Sequence, residues 1–557
     1  MADSEQEICV ATSGSILEAF RLNKKEIAFL LIIYALGVIL RLVPRLEIDS
    51  HLLTFQGDVW YRVCMAQYIK DHWTLPEPDI RYRPYGYVPM WYPPLSPILL
   101  AIGSWITGLD IPTICSRVLP FFEALSPLTM YFLGRMLYDK VTGAVSTFMV
   151  AFTPSFIYFT GIADPQSFTA FIIPVIMTIW VLQARDPDKK KLIITGLLLT
   201  INFFMHLSYF LVLWEMVMIS LALFLQGKAQ RRIFKDLLLV IGMSQLLTSP
   251  WWLPRNLYWW WIRALVTSSG LYPLVSHISY YGMFAWVIGA FSLLLLAIKN
   301  PKRHLFVLLW SIPTLIESNN EIILSALGLG RLAWETIAKP LEGFRFFPFL
   351  AQPFSMATAV ASVGPLRNRK VEDRRLLCFI TAVLLLGQGA NLYYYRLPLR
   401  FQLSGLIIEE YEAALWFRNN TGPKARIAAD YYRAQMFAGV CGGKALIGGV
   451  FPLRNVDYPY IKAPGRVQND LYILYSTNSP LVAYNIAKRY NLTHIFYSTN
   501  MELYGNLLSS YKPAYEFGVD VNKEKFEDKS FFEIIYRRNA TFGEVWIIRV
   551  CGIPEDS

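Results

Sequence analysis

The sequence predicts an α-helical polytopic membrane protein with a soluble domain at its C-terminal end. Three observations carry that prediction. Of 557 residues, 54% are hydrophobic and only 17% charged, and the mean hydropathy is positive, which is too apolar for a water-soluble chain of this length. Apolar runs of membrane-helix character recur as far as residue 392 and then stop. The basic clusters between the runs sort to one side, as they do in membrane proteins whose loops obey the positive-inside rule.

Residues 1–26, "MADSEQEICVATSGSILEAFRLNKKE", are polar and acidic before a basic pair, which is not the pattern of a cleavable signal peptide. They are expected to stay as a cytoplasmic segment. The runs follow near 27–42, 118–136, 141–160, 166–184, 191–205, 208–225, 236–253, 280–298, 305–317, 346–363 and 376–392. Several are shorter than the roughly 20 residues that cross a bilayer, so the expectation for residues 27–392 is about 11–13 transmembrane helices with ends set to within a few residues. With the N-terminus inside, "ARDPDKKK" (184–191), "GKAQRRIFK" (227–235), "KNPKRH" (299–304) and "RNRKVEDRR" (367–375) all fall on the cytoplasmic side. The net charge of +11 is then explained by topology, and no nucleic-acid partner is implied.

Eleven runs are an odd number, so residues 393–557 are expected outside as a soluble α/β domain. That region has no apolar run of membrane length. Its N-x-Ser/Thr triplets at Asn419, Asn491 and Asn539 are near chance frequency and add little. The six cysteines, at 9, 64, 115, 378, 441 and 551, have no metal-ligand spacing, although Cys441 and Cys551 share the external region and can pair. There is no G-x-x-x-x-G-K-[ST] loop and no G-x-S-x-G elbow, so nucleotide hydrolysis and serine-hydrolase chemistry have no foothold.

The same topology gathers polar residues at the external face. The long first external loop, 43–117, holds Asp58 and Arg62 in "TFQGDVWYRVCMAQYIKDH", then the Pro- and Gly-containing "IRYRPYGYVPMWYPPLSPILLA", read as loop leading into a membrane-hugging segment. Asp164 follows in "FTGIADPQSFTAF", and later external turns supply His206, His277, Glu317, Glu321 and Arg345. Ionisable residues at a membrane border that face a shared cavity are functional candidates. Plainer roles stand beside that one. Asp58 and Asp164 can each cap a helix, Arg345 can anchor a helix end at lipid headgroups, and the two histidines can serve as local hydrogen-bonding residues.

The order of these pieces resembles the GT-C membrane glycosyltransferases, above all the catalytic subunit of oligosaccharyltransferase, including its archaeal single-subunit form, over nearly the whole chain. "GDVWYRVCMAQYI" is similar to that family's first motif, which implies that Asp58 is a metal-linked carboxylate that touches the acceptor and that Arg62 is the motif's arginine. "GIADPQSF" resembles the second motif, with Asp164 as its first acid and Gln166 where the family has a second. "GFRFFPFL" resembles the late segment whose arginine engages the lipid-linked phosphate, which implies that role for Arg345. "ALWFRNNTGPKARIAADYYRAQMFAGVCGGKALIGG" resembles the start of the family's external domain, with "ADYYRA" at the place of "WWDYG". Asp430 and Tyr431 are then the expected acceptor-binding residues. His277, in "LVSHIS", occupies the approximate place of a loop glutamate in the family's T-I-x-E motif, and "TLIE" at 314–317 has the right letters one loop too late.

The resemblance implies a divalent metal, Mn or Mg, held by Asp58, Asp164 and Gln166, together with a polyprenyl- or dolichyl-linked sugar donor, membrane lipid, and a protein or glycan acceptor. The chemistry suits these residue types. Cleaving the bond from anomeric carbon to phosphate develops negative charge on the leaving group, and a hard cation on oxygen ligands plus a forked guanidinium can stabilise it. The expected function is transfer of a glycan from a lipid-linked phosphate to an external acceptor, with protein asparagine first in line. Two alternatives remain at this stage: transfer of a monosaccharide from polyprenyl phosphate to a lipid or glycan, and a non-catalytic paralogue that binds the donor lipid. A transporter would be expected to show repeated halves and a polar midplane site, and neither is visible in the sequence.

Overall fold

Helices form where the apolar runs lie, and small polar residues set their ends. Asp139, Asp188 and Asn300 each accept a backbone N–H from the first turn of the helix that follows, from Thr142, Lys190 and Arg303 respectively. The computed structural model describes residues 16–47, 57–77, 90, 92–206, 208–263, 282–319, 343–363, 382–384, 386–390, 406–442, 444–446, 464–504, 519–540 and 543–553.

The helices that position the site are α1 (Lys24–Glu47), α2 (Gly57–His72), α3 (Leu95–Thr107), α4 (Thr129–Leu137), α5 (Lys140–Ala151), α6 (Pro154–Phe159), α7 (Gln166–Arg185), α8 (Lys189–Met205), α9 (Tyr209–Leu225), α10 (Arg232–Arg263), α11 (Met283–Lys299), α12 (Pro301–Ser318) and α13 (Phe347–Val363). Among the described residues three helices are long and apolar enough to cross a membrane: Lys24–Val43, Gln166–Arg185 and Arg232–Arg255. A pair bent by 104°, Leu95–Thr107 with Ile111–Leu137, brings the number to as many as four. Two runs expected as single spans are interrupted. The run at 118–136 contains a 3-10 turn at Ser126–Leu128, and the run at 141–160 breaks at Phe152–Thr153. Pro127 and Pro154 stand at these breaks, and a proline has no N–H with which to continue a helix.

From Leu406 onward the chain is α/β. Helix α14 (Ile408–Asn420) leads to strand β1 (Ile427–Ala428), α15 (Tyr431–Cys441), α16 (Pro464–Ser476), α17 (Pro480–Arg489), β2 (His494–Ser498), β3 (Phe532–Ala540) and β4 (Gly543–Val550). The four strands form one sheet in the order β1-β2-β4-β3, with β1 parallel to β2 and the other pairs antiparallel. Every residue of β2 is buried, as expected of a central strand covered on both faces. Cys441 and Cys551 are both free thiols, so the pairing open to them in the sequence is not made. Burial pushes the Cys441 thiol up to about 12, and it donates to the carbonyl of Ala414.

Among the described residues two large hydrophobic cores result, beside a small cluster of Tyr158, Phe159 and Ile162. One fills the helical bundle and includes Ile173, Trp180, Tyr209, Met216, Trp310 and Phe354. The other belongs to the α/β region yet takes in Val59, Trp60, Val63 and Met65 of α2, packed with Phe417, Phe437 and Phe496. Helix α2 is therefore part of the C-terminal region's core. Helix α15 approaches α2 closely at Gly439. A Cβ there would lie 3.0 Å from Trp60 Cε3 and 3.1 Å from the Trp60 carbonyl oxygen.

Gly439→Val should force α15 off α2, at a cost of about 1–3 kcal/mol typical of overpacking. Thermal unfolding of the purified protein in detergent should show the midpoint fall. An unchanged midpoint would show that α15 does not hold α2.

Candidate active site

The site begins at the turn "GIADPQ". Ala163 adopts a left-handed conformation, φ 59°, an uncommon choice for a residue with a Cβ, and it aims Asp164 inward at the head of α7. Asp164 Oδ1 accepts the N–H of Gln166 at 3.0 Å, and its backbone carbonyl accepts both the N–H and the hydroxyl of Ser167. The capping role foreseen in the sequence is thus real.

The same oxygen has a second partner. Arg62, in the middle of α2, places Nη2 3.4 Å from Asp164 Oδ1, with the two side chains 3% and 4% exposed. Arg62 Nη2 also donates to the Tyr92 hydroxyl at 3.3 Å, and its guanidinium lies 5.5 Å from the Tyr92 ring centre. A pair this far from water is costly to break from one side, because the surviving charge stays buried. Asp164 is cap and counter-ion together.

Below this pair the first turns of α7 meet the turn between α8 and α9. Thr169 donates to Asn202 Oδ1 at 2.8 Å, and Ser208 donates to Thr169 Oγ1 at 3.0 Å. His206 Nδ1 lies 3.0 Å from the Ser208 backbone nitrogen, whose N–H it accepts, and 2.7 Å from the Ser208 hydroxyl. The His206 ring stands edge-on to Tyr92, at 6.3 Å between centres. His206 therefore has the local hydrogen-bonding role weighed for it, and its ring neighbours Tyr92, the partner of Arg62. Tyr92, Thr169, Asn202 and Ser208 were not singled out from sequence. The available signal was Asn202, a polar residue inside an apolar helix.

Arg345 lies in the 3-10 turn Gly343–Phe346 that runs directly into α13 and abuts α12. Gln352, the sixth residue of α13, donates to the carbonyl of Ala170, the fifth residue of α7, at 2.6 Å, so the first turns of these two helices meet. Glu317 is half-buried near the end of α12. Asp58 is in the first turn of α2, but its side chain, together with His277 and Glu321, lies outside the described residues.

Asp430 is fully buried. It caps α15 by accepting the Tyr432 N–H and lies 3.4 Å from Arg433 Nη1. Arg433 Nε donates to Glu410 at 2.9 Å. Burial by itself pulls the Arg433 guanidinium down, and Glu410 and Asp430 outweigh it, holding it above its ordinary range. Tyr431 is half-buried beside this cluster.

The motif resemblance implies a divalent cation, and the residues present fit one. Gln166 is buried, and among the described residues its Oε1 has no hydrogen-bond donor, so a neutral oxygen is left for a ligand two residues from Asp164. Carboxylate and amide oxygens are the ligands that Mg and Mn take. Among the described residues no three His, Cys, Asp or Glu side chains gather as a metal-binding group.

No protein-family model matches the chain, and no curated protein does. Solved structures do. The chain is similar to the oligosaccharyltransferase of Archaeoglobus fulgidus tethered with an acceptor peptide containing the NVT sequon, with a TM-score of 0.60, 14% identity and coverage of 86% of this chain and 70% of that one. The same archaeal enzyme, AglB, in complex with an inhibitory peptide and a dolichol-phosphate matches with a TM-score of 0.59, 14% identity and coverage of 88% and 70%. Its complex with Zn and sulfate matches with a TM-score of 0.55, 15% identity and coverage of 85% and 68%. The arabinofuranosyltransferase AftD from Mycobacteria matches with a TM-score of 0.56, 12% identity and coverage of 96% of this chain and 40% of that one. The likeness to GT-C glycosyltransferases that the motifs suggested is therefore a likeness of fold as well.

Asp164→Asn keeps an acceptor for the Gln166 N–H and removes the charge, so its loss of stability reads the ion pair alone. Breaking a buried pair costs about 3–5 kcal/mol, and thermal unfolding of this variant should show most of it. A midpoint equal to the wild type's would mean that Arg62 is compensated elsewhere.

Proposed function

We propose that this protein transfers a glycan from a dolichyl- or polyprenyl-linked phosphate to an acceptor outside a membrane, with the asparagine of a protein as the acceptor to test first. In this reading residues 27–392 form the membrane-embedded bundle, 1–26 are cytoplasmic and 393–557 are external. The observation that carries it is the buried Arg62–Asp164 pair at the head of α7, in a chain with the fold of lipid-linked glycosyltransferases. The Archaeoglobus complexes with dolichol-phosphate and with acceptor peptide support both halves of the reaction.

Arg345 would hold the donor phosphate, because a guanidinium matches phosphate oxygens in a fork while apolar helices hold the prenyl chain. Asp164 and Gln166, with Asp58 at the head of α2, would hold the divalent cation. When bound, that cation would neutralise charge developing on the leaving phosphate. Arg62 fixes the Asp164 carboxylate, and Tyr92 fixes Arg62. Asp58 is the residue to orient the acceptor amide.

A second reading is favoured by one observation. Asp430, matched to the family's acceptor-reading motif, is fully buried in an ion cluster with Arg433 and Glu410, which suits a carbohydrate or lipid acceptor that needs no reading of a peptide hydroxyl.

Incubating the purified protein with lipid-linked glycans and candidate acceptors separates these readings. Label should enter an N-x-Thr peptide, and replacing Thr by Ala should reduce transfer less than tenfold, under about 1.4 kcal/mol of discrimination. Label entering only lipid or glycan would establish the second reading. A loss of several hundredfold with Ala would show that strict sequon reading persists. Arg345→Ala should weaken donor binding at least about tenfold, since a hydrogen bond to a charged group contributes ~1.5–3 kcal/mol. Unchanged donor affinity would remove Arg345 from the site.

A further inference from the structure

Helix α7 begins beside Asp164 and ends at Arg185, and at that far end four helix termini are joined. Arg185 Nη2 donates to the carbonyl of Met136, in the last turn of α4, at 3.2 Å. Just past α4, the Tyr138 hydroxyl and His304 Nδ1 are 3.3 Å apart, and the two rings stack with centres 5.9 Å apart. His304 is in the first turn of α12, next to Arg303. The carbonyls of Lys302 and Arg303 accept the side-chain amide of Gln226 at 3.0 and 2.9 Å, and Gln226 is the residue that ends α9. Left-handed Gly227, φ 70°, then turns the chain so that the Lys228 N–H returns to the Leu223 carbonyl at 2.9 Å, a glycine-closed helix end. One continuous run of contacts thus carries Arg185, Arg303, His304 and Lys228 to one place.

These basic residues are gathered without acids. Among the described residues the Lys228 ammonium and the Arg303 guanidinium have no hydrogen-bond or salt-bridge partner, and Arg185 uses one of its five N–H groups. The nearby basic residues are paired: Arg135 and Lys140 with Glu26, Lys191 with Asp186, and Arg232 with Asp236. The gathered ones act on each other instead. Burial first, then Arg303 and Lys228, push His304 down to about 4. Desolvation, then Arg185 and Arg303, hold Lys228 below its ordinary range. Topology accounts for basic residues on this side, but cations spread over a loop face repel less than cations drawn together. Arg185, Lys228 and Arg303 are all exposed, so a counter-ion can reach them. Two aliphatic side chains adjoin them: Leu225, just before Gln226, is 49% exposed, and Ile298, two residues before the Asn300 cap of α12, is 70% exposed.

We propose that Arg185, Lys228 and Arg303 form a binding site for the phosphodiester headgroup of an anionic phospholipid, with Leu225 and Ile298 against its acyl chains. Two guanidinium forks and an ammonium point charge suit the free oxygens of a phosphodiester. A zwitterionic headgroup brings a cation of its own and returns positive charge to the cluster. The exposed aliphatic side chains favour a lipid over free phosphate, which gains nothing from apolar surface. Basic residues set between helices at the cytoplasmic face recognise anionic headgroups by this chemistry. The site rests on the reading that the bundle sits in a bilayer with residues 184–191 and 299–304 on the cytoplasmic side, and it is independent of glycan transfer.

The test is lipid binding by the full chain. The protein is assembled into nanodiscs, then purified in detergent and titrated with phosphatidylglycerol or phosphatidylcholine, with the bound states counted by native mass spectrometry. Phosphatidylglycerol should bind at least about tenfold more tightly, as charge-assisted hydrogen bonds allow. Lys228→Gln with Arg303→Gln removes side chains that hold no other group, and should bring the two lipids to within about twofold. Arg231→Gln with Lys235→Gln removes the same charge from exposed residues that act on neither Lys228 nor His304, and should leave the preference unchanged. An equal fall in both double variants would show a diffuse field and overturn the site. Displacement of phosphatidylglycerol by millimolar inorganic phosphate would overturn the lipid in favour of the free anion. A chain that enters nanodiscs and binds both lipids alike would overturn the site alone. One that stays out of nanodiscs and binds neither would overturn the embedded bundle and the site together.

Discussion

The pair between Arg62 and Asp164 is the constraint on which the arrangement depends. Arg62 stands on a helix that belongs to the core of the α/β region, and Asp164 heads a helix at the centre of the bundle core. The α/β core reaches Ala163, the residue before Asp164, and Trp251 packs on both cores, so the pair lies at the seam between them, where a buried charge that loses its partner is costly. Gly439 serves the same end, since a Cβ there would press on Trp60 at 3.0 Å where α15 packs on α2.

Gln166 changes the electrostatics of this place without changing its shape. A second acid there would add a negative charge beside Asp164. An amide offers an oxygen of similar reach and no charge, so among the described residues Arg62 is the cation that faces Asp164. A hard cation accepts neutral oxygen ligands, but affinity falls with the number of charged ones. If the site takes a cation as proposed, it would bind that cation more weakly than a site with two acids, and the Arg62–Asp164 pair would persist when the cation leaves.

Much of the helical architecture was legible. The runs at 191–205, 208–225 and 346–363 became Lys189–Met205, Tyr209–Leu225 and Phe347–Val363, because apolar helices inside an apolar surround need little beyond length and hydropathy. The breaks at Ser126–Leu128 and Phe152–Thr153 were not read, although Pro127 and Pro154 marked them, since hydropathy averages over a proline. In the site, Arg62, Asp164 and Gln166 came from motif spacing. Thr169, Asn202 and Ser208 did not, because each has a satisfactory local role in a helix or turn, and only the tertiary meeting of α7, α8 and the α8–α9 turn joins them. The burial of Asp430 depends on Glu410, twenty residues earlier, and on Arg433, a pairing that local sequence does not signal.

The account's central claim is that the reacting end of a lipid-linked sugar sits between α2, the head of α7 and Arg345. Photo-crosslinking tests it most directly. A polyprenyl-phosphate sugar with a diazirine on the ring next to the phosphate would be activated with the protein in nanodiscs, and the adducts mapped by mass spectrometry. The account predicts adducts in the peptides that contain Arg62, Asp164 to Thr169, and Arg345. Adducts confined to other segments, with these peptides unmodified, would contradict it.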